Sequence, residues 1–328
     1  MQIATTENTI YTSPDASKIF CYTPSIIVTP TGRLIVSFDL AEEGVKSIEG
    51  HKSSRAGGSR FGQGKIFISD DNGQKWTFVQ NFPFWHARLF TIGNSIYLIG
   101  HAGDICIMKS EDNGESWSDT YFLTHGEKWH SSACNVLFSN GNVYLAMEQR
   151  CRLNEVTGWD VAGLSPTLFR ACVEDNLCLA SSWSRSEKFI YKEVFDGAKL
   201  DFFGIPFYDC ETNKPKEIAT GINNAPLGWL EANVVKFVDK DHIWHTDLKE
   251  VFHLFLRAHT GGVNYAHLFK IEIQDDQSMI PSLEHTPSGQ KISYIPFPGG
   301  HLKFFIIYDE LTRFYWLVST QATALYQI

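Results

Sequence analysis

The sequence of 328 residues has no apolar stretch near the roughly twenty residues that a membrane-spanning helix needs. Its first residues, MQIATTENTIYTS, lack the charged-then-apolar pattern of a signal peptide. We therefore expect a soluble chain with no membrane span. Its compartment is either the cytoplasm or, if a signal peptide was removed before Met1, the periplasm or the exterior of the cell.

Charges of one sign are not concentrated anywhere, since no run of five like charges occurs. The formal net charge is −9 and the pI is near 5.7, which argues against a surface for nucleic acid or for anionic membranes. Nucleic acid is therefore not an expected partner, and any cationic site must be local.

Paired cysteine motifs are also missing. The seven cysteines include no C-x-x-C pair, and an odd number cannot all form disulfides within one chain. A reduced compartment and buried free thiols are the two interpretations. The histidines between residues 242 and 267 lack a metal-binding spacing such as H-E-x-x-H, so neither a metal nor another cofactor is expected. The cysteines are Cys21, Cys106, Cys134, Cys151, Cys172, Cys178 and Cys210.

Helical periodicity is the last absence, because no long stretch repeats its apolar side chains every 3.6 residues or so. Short strand patterns separated by turns are present instead. SIIV at 25–28, TPTG at 29–32 and RLIVSFDL at 33–40 have the pattern of a hairpin with Gly32 in its turn. Similar patterns continue as far as RFYWLVS at 313–319. The sequence therefore predicts an all-β fold.

Two copies of one motif, SDDNGQKW at 69–76 and SEDNGESW at 110–117, organise these strands. Each copy reads Ser-x-Asp-x-Gly-x-x-Trp. The Ser and Asp side chains can bond the backbone of a tight turn, the Gly supplies a positive φ, and the Trp packs back onto the strands that the turn joins. The pair indicates an internal repeat.

The motif resembles the Asp-box, or BNR repeat, of the sialidase-like β-propellers, in which it closes an outer hairpin of a four-stranded blade. The resemblance implies a single domain over residues 1–328, with six or seven blades of four antiparallel strands each. The sequence ends with TQATALYQI directly after a strand. Either the N-terminal segment supplies the closing strand, or a C-terminal closing segment is absent.

Two departures from related patterns bear on function. In sialidases the first blade carries a Phe-Arg-Ile-Pro motif whose Arg clamps the substrate carboxylate, and the matching stretch FCYTPS has Tyr22 at that position. The stretches FWHARLF, WHSSACNV and GWLEANVV resemble a branch with uronate-linked rhamnosidases and ulvan-type lyases. That branch often has a His in the first hairpin where this chain has Phe38. Tyr22 stays a substrate-binding candidate, but a mechanism based on that His cannot be transferred.

Glu231 is the leading catalytic candidate, because it stands between Leu230 and Ala232 in an otherwise apolar strand. Such a carboxylate either acts in a site or forms a structural ion pair. Sialidase-like propellers use a Tyr activated by a Glu, which makes Tyr308 in KFFIIYDE the candidate nucleophile and Glu231 its base. The alternative for Tyr308 is a core aromatic.

Three histidines, His86, His101 and His130, each follow or end a strand in the inner part of a predicted blade. If they converge, they supply an acid and a base near neutral pH, and His101 is also a candidate for binding substrate. The alternative for each is a packed core side chain. Asp39 also follows a strand, and is either an acid of the site or a residue that bonds a turn.

Cationic side chains at strand ends or in apolar strands need anionic partners, from the protein or from a substrate. Two or three of them in one pocket would clamp a sugar carboxylate. The candidates are Arg150, Arg152, Arg170, Arg257 and Lys303. They predict an acidic oligosaccharide or polysaccharide as the partner.

The leading functional hypothesis is a sialidase-like glycoside hydrolase that cleaves a glycosidic bond in an acidic glycan, with Arg170 and Arg257 holding the carboxylate. The first alternative is a polysaccharide lyase, in which His86 and His130 transfer protons and Arg170 neutralises a uronate. The second alternative is a propeller that binds glycan without catalysis.

Overall fold

The computed structural model describes residues 7–54, 61–151, 161–195, 217–219, 222–223, 228–258 and 264–320. The chain divides into two compact units. Unit 1 comprises Met1–Ala133 and Asn176–Ala180, and unit 2 comprises Cys134–Asp175 and Ser181–Ile328. No helix in the described ranges is long and apolar enough to cross a membrane.

The first sheet of unit 1 follows the order β1-β2-β4, and both β3 and β5 pair with β4. All of its pairings are antiparallel. Seven successive residues of β2 are buried, because most of the side chains in its sequence LIVSFDLAE are apolar. The elements are β1 Phe20–Val28, β2 Leu34–Glu42, a 3-10 helix Glu43–Ser47, β3 Ser53–Ser54, β4 Phe61–Ser69 and β5 Thr77–Phe82.

The second sheet of unit 1 has four antiparallel strands in the order β6-β7-β8-β9. Buried aliphatic and aromatic side chains such as Phe82, Phe84 and Leu98 form a core between this sheet and the first. The strands are β6 Trp85–Ile92, β7 Ser95–Ala102, β8 Asp104–Ser110 and β9 Tyr121–Phe122, followed by β10 Trp129–His130.

Unit 2 contains a sheet in which β12 pairs with β11 and β13, and β13 pairs with β14. Three short helices and a small two-stranded sheet complete this part of the chain. The strands are β11 Leu137–Ser139, β12 Asn142–Arg150, β13 Leu164–Cys172, β14 Ser184–Arg185, β15 Glu217–Ala219 and β16 Ile222–Asn223. The helices are the 3-10 turns Val161–Gly163 and Ala180–Ser182 and the α-helix α1 Tyr191–Phe195.

A further antiparallel sheet of unit 2 has the order β17-β18-β19-β20, with β23 also pairing with β19. Two hairpins, β21–β22 and β24–β25, follow it. The strands are β17 Trp229–Val235, β18 Val251–Ala258, β19 Tyr265–Ile273, β20 Met279–Ser282, β21 Glu284–His285, β22 Lys291–Ile292, β23 Tyr294–Pro296, β24 Phe304–Asp309 and β25 Phe314–Ser319.

The two Asp-box motifs form the turns that join β4 to β5 and β8 to β9, as predicted. Gly73 donates its backbone N–H to the Ser69 hydroxyl at 2.9 Å, and Gly114 donates to Ser110 at the same distance. Both glycines have positive φ, at 82° and 86°. The predicted all-β fold is therefore confirmed for the described residues, whose four larger sheets are antiparallel and each have a main path of four strands. The number of blades and a single domain over residues 1–328 stay predictions.

Six of the seven cysteines lie in the described residues, and no disulfide joins any two of these six. Cys210 lies outside the described residues. Burial raises the pKa of the Cys106 thiol to about 12, so this thiol is protonated and unreactive at neutral pH. Buried free thiols were one of the two sequence interpretations.

Two asparagine side chains in unit 2 bond the backbone of a neighbouring strand. The Asn135 side chain bonds both the N–H and the carbonyl of Val234, each at 2.7 Å. The Asn233 amide does the same one sheet further on, donating to the Phe304 carbonyl at 3.2 Å and accepting from the Ile306 N–H at 3.1 Å. These bonds hold the start of β24 beside β17.

The same irregularity occurs in β1, β6 and β17, each of which is the first strand in the order of its sheet. In each of them two residues face a single residue of the neighbouring strand, which is the arrangement of a β-bulge. The first of the two residues has a left-handed backbone: Thr23 at φ 49°, His86 at φ 53° and Glu231 at φ 60°. A non-glycine residue in this region is strained by about 1–3 kcal/mol and is typical of functional sites.

Candidate functional site

Unit 1 brings together the three predicted histidines. His86 occupies the bulge of β6, and its Nδ1 lies 3.3 Å from Nε2 of His101 on the neighbouring strand β7. His130 lies in β10, which is fixed by a hydrogen bond from the Trp129 N–H to the Gly103 carbonyl at 2.9 Å. The His130 ring is 5.4 Å from the His86 ring and 6.3 Å from the His101 ring, measured between centroids.

Exposure separates the roles of these histidines. His101 and His130 are each 4% exposed, whereas His86 is only partly buried. A proton-transfer group must reach its substrate, so His86 is the member of the cluster best placed to do so. The His86 ring packs against the other two rings, at centroid distances of 5.3 Å from His101 and 5.4 Å from His130.

Asp39 does not act as an accessible acid. Its side chain is fully buried, and Oδ2 accepts a hydrogen bond from the backbone N–H of His86 at 2.5 Å. The sequence alternatives for Asp39 were an acid of the site or a residue that bonds a turn. The structure shows a related third arrangement, in which the carboxylate bonds the backbone of a bulge.

Arg88 and Ser131 belong to the surroundings of this cluster and were not identified from the sequence. Arg88 is 1% exposed, and its Nη2 donates a hydrogen bond to the Ser131 hydroxyl at 2.5 Å. Ser131 follows His130 directly in the chain. The available signal was a cation two residues after His86 in a strand that is otherwise apolar.

Unit 2 contains the Glu231 cluster, which consists of Glu231, Arg257 and Lys303. Glu231 is 6% exposed and occupies the bulge of β17. Its Oε2 lies 3.5 Å from Nη1 of Arg257, and its Oε1 lies 3.6 Å from Nζ of Lys303. Oε2 is buried and accepts no hydrogen bond from the described part of the chain. One negative charge therefore faces two positive charges, and Oε2 has no hydrogen-bond donor among the described residues.

The two cations of this cluster differ in how firmly the protein holds their side chains. Arg257 lies opposite Leu230 in the pairing of β18 with β17, and its Nε donates to the His301 carbonyl at 3.0 Å. That bond fixes the plane of the guanidinium. The Lys303 side chain is 45% exposed and precedes β24. Lys303 can therefore turn towards a ligand, while Arg257 stays in place.

Glu148 lies behind the Glu231 cluster. It is fully buried in β12, and its Oε1 accepts a hydrogen bond from the backbone N–H of Ala232 at 3.0 Å. Ala232 is the second residue of the β17 bulge. Glu148 therefore accepts a backbone N–H from this bulge, and Asp39 likewise accepts a backbone N–H from the bulge of β6.

The structure does not bring Tyr308 to Glu231. Tyr308 follows Lys303 by five residues, which is about 16 Å along a strand. Its ring packs 4.8 Å from that of Tyr315, measured between centroids. In this part of unit 2 it lines a cavity of about 660 Å³ with Phe237, Phe255 and other aromatic residues. A nucleophile–base couple of Tyr308 and Glu231 is not supported by this placement.

Arg170 also lies away from the Glu231 cluster. Its guanidinium donates to the Ser184 hydroxyl at 3.2 Å and to the Gln277 side chain at 2.9 Å. Arg170 faces Tyr144 in the pairing of β13 with β12, four residues along β12 from Glu148, or about 13 Å. Its predicted role as a carboxylate clamp stays without structural support.

Two further candidates are placed at strand positions. Arg150 ends β12 opposite Leu164 and is partly buried, whereas Arg152 lies outside the described residues. Tyr22 lies in β1 directly before the bulge residue Thr23 and is 39% exposed. Its hydroxyl lies 3.4 Å from a carboxylate oxygen of Glu42, at the limit of a hydrogen bond. The roles of both residues in binding substrate stay predictions.

The described residues contain no group of three or more His, Cys, Asp and Glu side chains with the geometry of a metal site. The three imidazoles of the histidine cluster are groups that can donate and accept protons near neutral pH. The Glu231 cluster offers an anionic carboxylate and two cations, a combination that suits a polar substrate with its own carboxylate.

No family model matches the sequence, and no curated protein matches it. Among solved structures, the chain is similar to the K499G mutant of the NanB sialidase from Streptococcus pneumoniae, with 10% identity, 88% of this chain and 51% of that chain covered, and a TM-score of 0.48. It is also similar to an α-L-arabinofuranosidase from Lactobacillus brevis, with 13% identity, coverage of 82% and 80%, and a TM-score of 0.46.

A third similar structure is the α-L-arabinofuranosidase Arb93A from Fusarium graminearum in complex with an iminosugar inhibitor. The identity is 10%, the TM-score is 0.44, and the match covers 90% of this chain and 72% of that chain. At these values the comparisons assign neither an activity nor a substrate to the protein. The similar structures thus include glycoside hydrolases of two kinds, a sialidase and arabinofuranosidases.

Proposed function

We propose that the protein is a glycoside hydrolase that cleaves a glycosidic bond in an acidic glycan. The observation that carries this proposal is the state of Glu231. Its carboxylate is 6% exposed, stands on a left-handed backbone, and has two cations at 3.5 and 3.6 Å. A structural ion pair needs the cations but not the strained backbone, whereas a site residue that must point in one direction uses both.

The chemistry of glycoside cleavage assigns a role to each member of the Glu231 cluster. An anionic carboxylate stabilises positive charge that develops at the anomeric carbon, or accepts the proton of an attacking group. Arg257, fixed by His301, and the more exposed Lys303 can share their charge with a carboxylate of the sugar. Such sharing selects an acidic glycan over a neutral one.

The test is incubation of the purified protein with a panel of acidic and neutral glycans, read for new reducing ends. We expect hydrolysis of an acidic glycan, and a loss of about 10²–10⁴-fold in kcat for Glu231→Gln. The matched control is Glu272→Gln, because Glu272 also pairs with lysines in unit 2 but lies on the surface. Full activity of Glu231→Gln would exclude the assignment.

A second candidate function, elimination at a uronate, is favoured by the histidine cluster of unit 1. In this reaction an imidazole takes the C5 proton, the C4–O bond breaks, a C4–C5 double bond forms, and the leaving oxygen takes a proton. Three imidazoles with centroids 5.3–6.3 Å apart can supply both the base and the acid. His86 is the least buried member and the candidate base.

One assay separates these functions. Elimination leaves an unsaturated uronate that absorbs near the ultraviolet edge, whereas hydrolysis gives reducing ends without that absorbance. Reducing ends alone support the hydrolase, and absorbance with reducing ends supports the lyase. Retained binding without either signal would indicate a glycan-binding protein and exclude both enzymes.

A further inference from the structure

Two buried carboxylates hold the two bulges that carry the candidate catalytic residues. In unit 1, Asp39 of β2 accepts the backbone N–H of His86 in β6. In unit 2, Glu148 of β12 accepts the backbone N–H of Ala232 in β17. Both carboxylates are fully buried, and each comes from the sheet that precedes the bulged strand in its own unit.

A bulge creates the need for such an acceptor. The extra residue interrupts the ladder of the sheet, so a backbone N–H loses its partner on the neighbouring strand. A buried N–H without an acceptor destabilises the fold, because it has lost its hydrogen bond to water without replacing it. An anionic acceptor forms a charge-assisted bond, which is about twice as strong as a neutral one.

The direction of the side chain depends on the same bond. A change of one residue in strand register moves every following side chain to the opposite face of the sheet. If the bulge of β17 relaxed into regular pairing, the side chain of Glu231 would leave Arg257 and Lys303. The equivalent change in β6 would separate His86 from His101. The carboxylate that stabilises each bulge therefore also determines the direction in which the side chain of the left-handed residue points.

We propose that Asp39 and Glu148 are positioning residues that act through the bulges of β6 and β17. Glu148 holds Glu231 in its left-handed conformation, and Asp39 holds His86. Neither carboxylate touches substrate in this scheme. The catalytic importance of the two residues depends on the proposed function, but their hold on the bulges does not.

The test compares Glu148→Gln with Glu148→Leu in the full chain. The glutamine keeps a carbonyl oxygen that can accept the Ala232 N–H, and the leucine does not. The first readout is hydrogen exchange at the Ala232 amide, followed by NMR. We expect exchange to stay slow in Glu148→Gln and to become at least about tenfold faster in Glu148→Leu.

The second readout is kinetic. With a glycan that the protein cleaves, Glu148→Leu should lower kcat by about 10²-fold with little change in KM, and Glu148→Gln should restore most of the loss. The matched control is Glu250→Ala, since Glu250 is another partly buried carboxylate of unit 2 that bonds side chains away from the bulge. This control should lower stability without selective exchange at Ala232.

The outcomes decide the proposal in either direction. Unchanged protection of the Ala232 amide in Glu148→Leu would overturn it, whatever the activity shows. If no glycan is cleaved, the exchange readout still tests positioning, so failure of the proposed function is recognised separately. If Glu148→Leu does not fold, Glu148→Ser replaces it, and Asp39→Leu against Asp39→Asn, read at the His86 amide, tests the second bulge independently.

Discussion

His86 and His101 share one hydrogen bond, with Nδ1 of the first ring 3.3 Å from Nε2 of the second. Only one of these two nitrogens can carry the shared proton, so at least one of the rings is neutral when the bond exists. The bond thereby couples the tautomers of the two rings: if Nδ1 of His86 accepts, its Nε2 carries the proton, and if Nδ1 donates from a neutral ring, Nε2 is the acceptor.

Replacement of His101 by Phe should remove that control while keeping the ring volume. If the histidine cluster performs elimination, we expect kcat to fall by about 10²-fold or more, measured as the appearance of unsaturated uronate. His285→Phe is the control, because His285 is exposed on β21 in unit 2. Equal rates in both variants would remove the cluster from the mechanism.

Arg313 offers a test of the strain attributed to left-handed residues. It has φ 60°, the same value as Glu231, but lies exposed in the turn between β24 and β25. Arg313→Gly should raise the free energy of unfolding by about 1 kcal/mol in urea titrations. Arg313→Ala removes the same charge but keeps the strain, and should give no increase. A similar gain for both variants would show that charge, not backbone, is responsible.

Glu250 should be one of the most important polar residues for the stability of unit 2. Burial alone would raise the pKa of its carboxyl, but hydrogen bonds from Ser139, Lys236 and Tyr144 outweigh burial and lower it. The unfolded chain then binds a proton more readily than the folded protein does, so this contribution is present above about pH 4.5 and is lost as the pH falls.

Glu250→Ala should therefore lower the free energy of unfolding at pH 7 by about 3 kcal/mol, because four donor side chains, with Asn140 as the fourth, lose a charged acceptor. Urea titrations at pH 7 and near pH 4 measure the effect. The difference between wild type and variant should shrink at the lower pH. A difference that stays constant would place the contribution in packing rather than in charge.

His267 should make the protein sensitive to mild acid. Burial lowers the pKa of its fully buried ring from 6.5 to about 3. Between these values the unfolded chain binds a proton that the folded protein excludes, so the free energy of unfolding decreases as the pH falls from about 6.5 towards 3. The slope for one such group is about 1.4 kcal/mol per pH unit.

His267→Gln should flatten this dependence between pH 6 and pH 4, although the variant loses the contacts with Trp229 and Tyr294 and is less stable at pH 7. Thermal unfolding followed across that range provides the measurement. His125→Gln, at an exposed position, should keep the wild-type slope. An unchanged slope in His267→Gln would mean that other groups dominate the acid response.

The local features of the fold were predictable because their causes are local. The Ser, Asp and Gly of each Asp-box bond one another within five residues, so the motif determines the turn in any strand context. Strand patterns likewise follow from alternating or continuous burial, and the strand predicted from RFYWLVS at 313–319 is observed as β25 at Phe314–Ser319.

The site was predictable only in part, because its geometry depends on register. The convergence of His86 with His101 follows from the pairing of β6 with β7, and a hydrophobic pattern does not specify the bulge that aims His86. Tyr308 and Arg170 have the right residue types, but Tyr308 lies five residues along the chain from Lys303, and Arg170 pairs four strand positions from Glu148. Residue type predicted chemistry, and only the register could show which residues meet.

The hydrogen-bond partner of Asp39 could not be predicted from the sequence. Its partner is a backbone N–H, that of His86 in another sheet, and a backbone amide leaves no trace in the sequence. Glu148 and Ala232 are the same case in unit 2. The sequence therefore could not name the partner of either carboxylate.

The Asp-box turns also have a consequence for the order of folding. Each turn closes through bonds between residues at most four positions apart, such as Ser69 with Gly73 and Ser110 with Gly114. Loops this short close in well under a microsecond, long before the sheets can dock. The outer hairpins β4–β5 and β8–β9 are therefore expected to nucleate early. The bulged strands β6 and β17 join later, once the buried carboxylates that hold them have been brought into place.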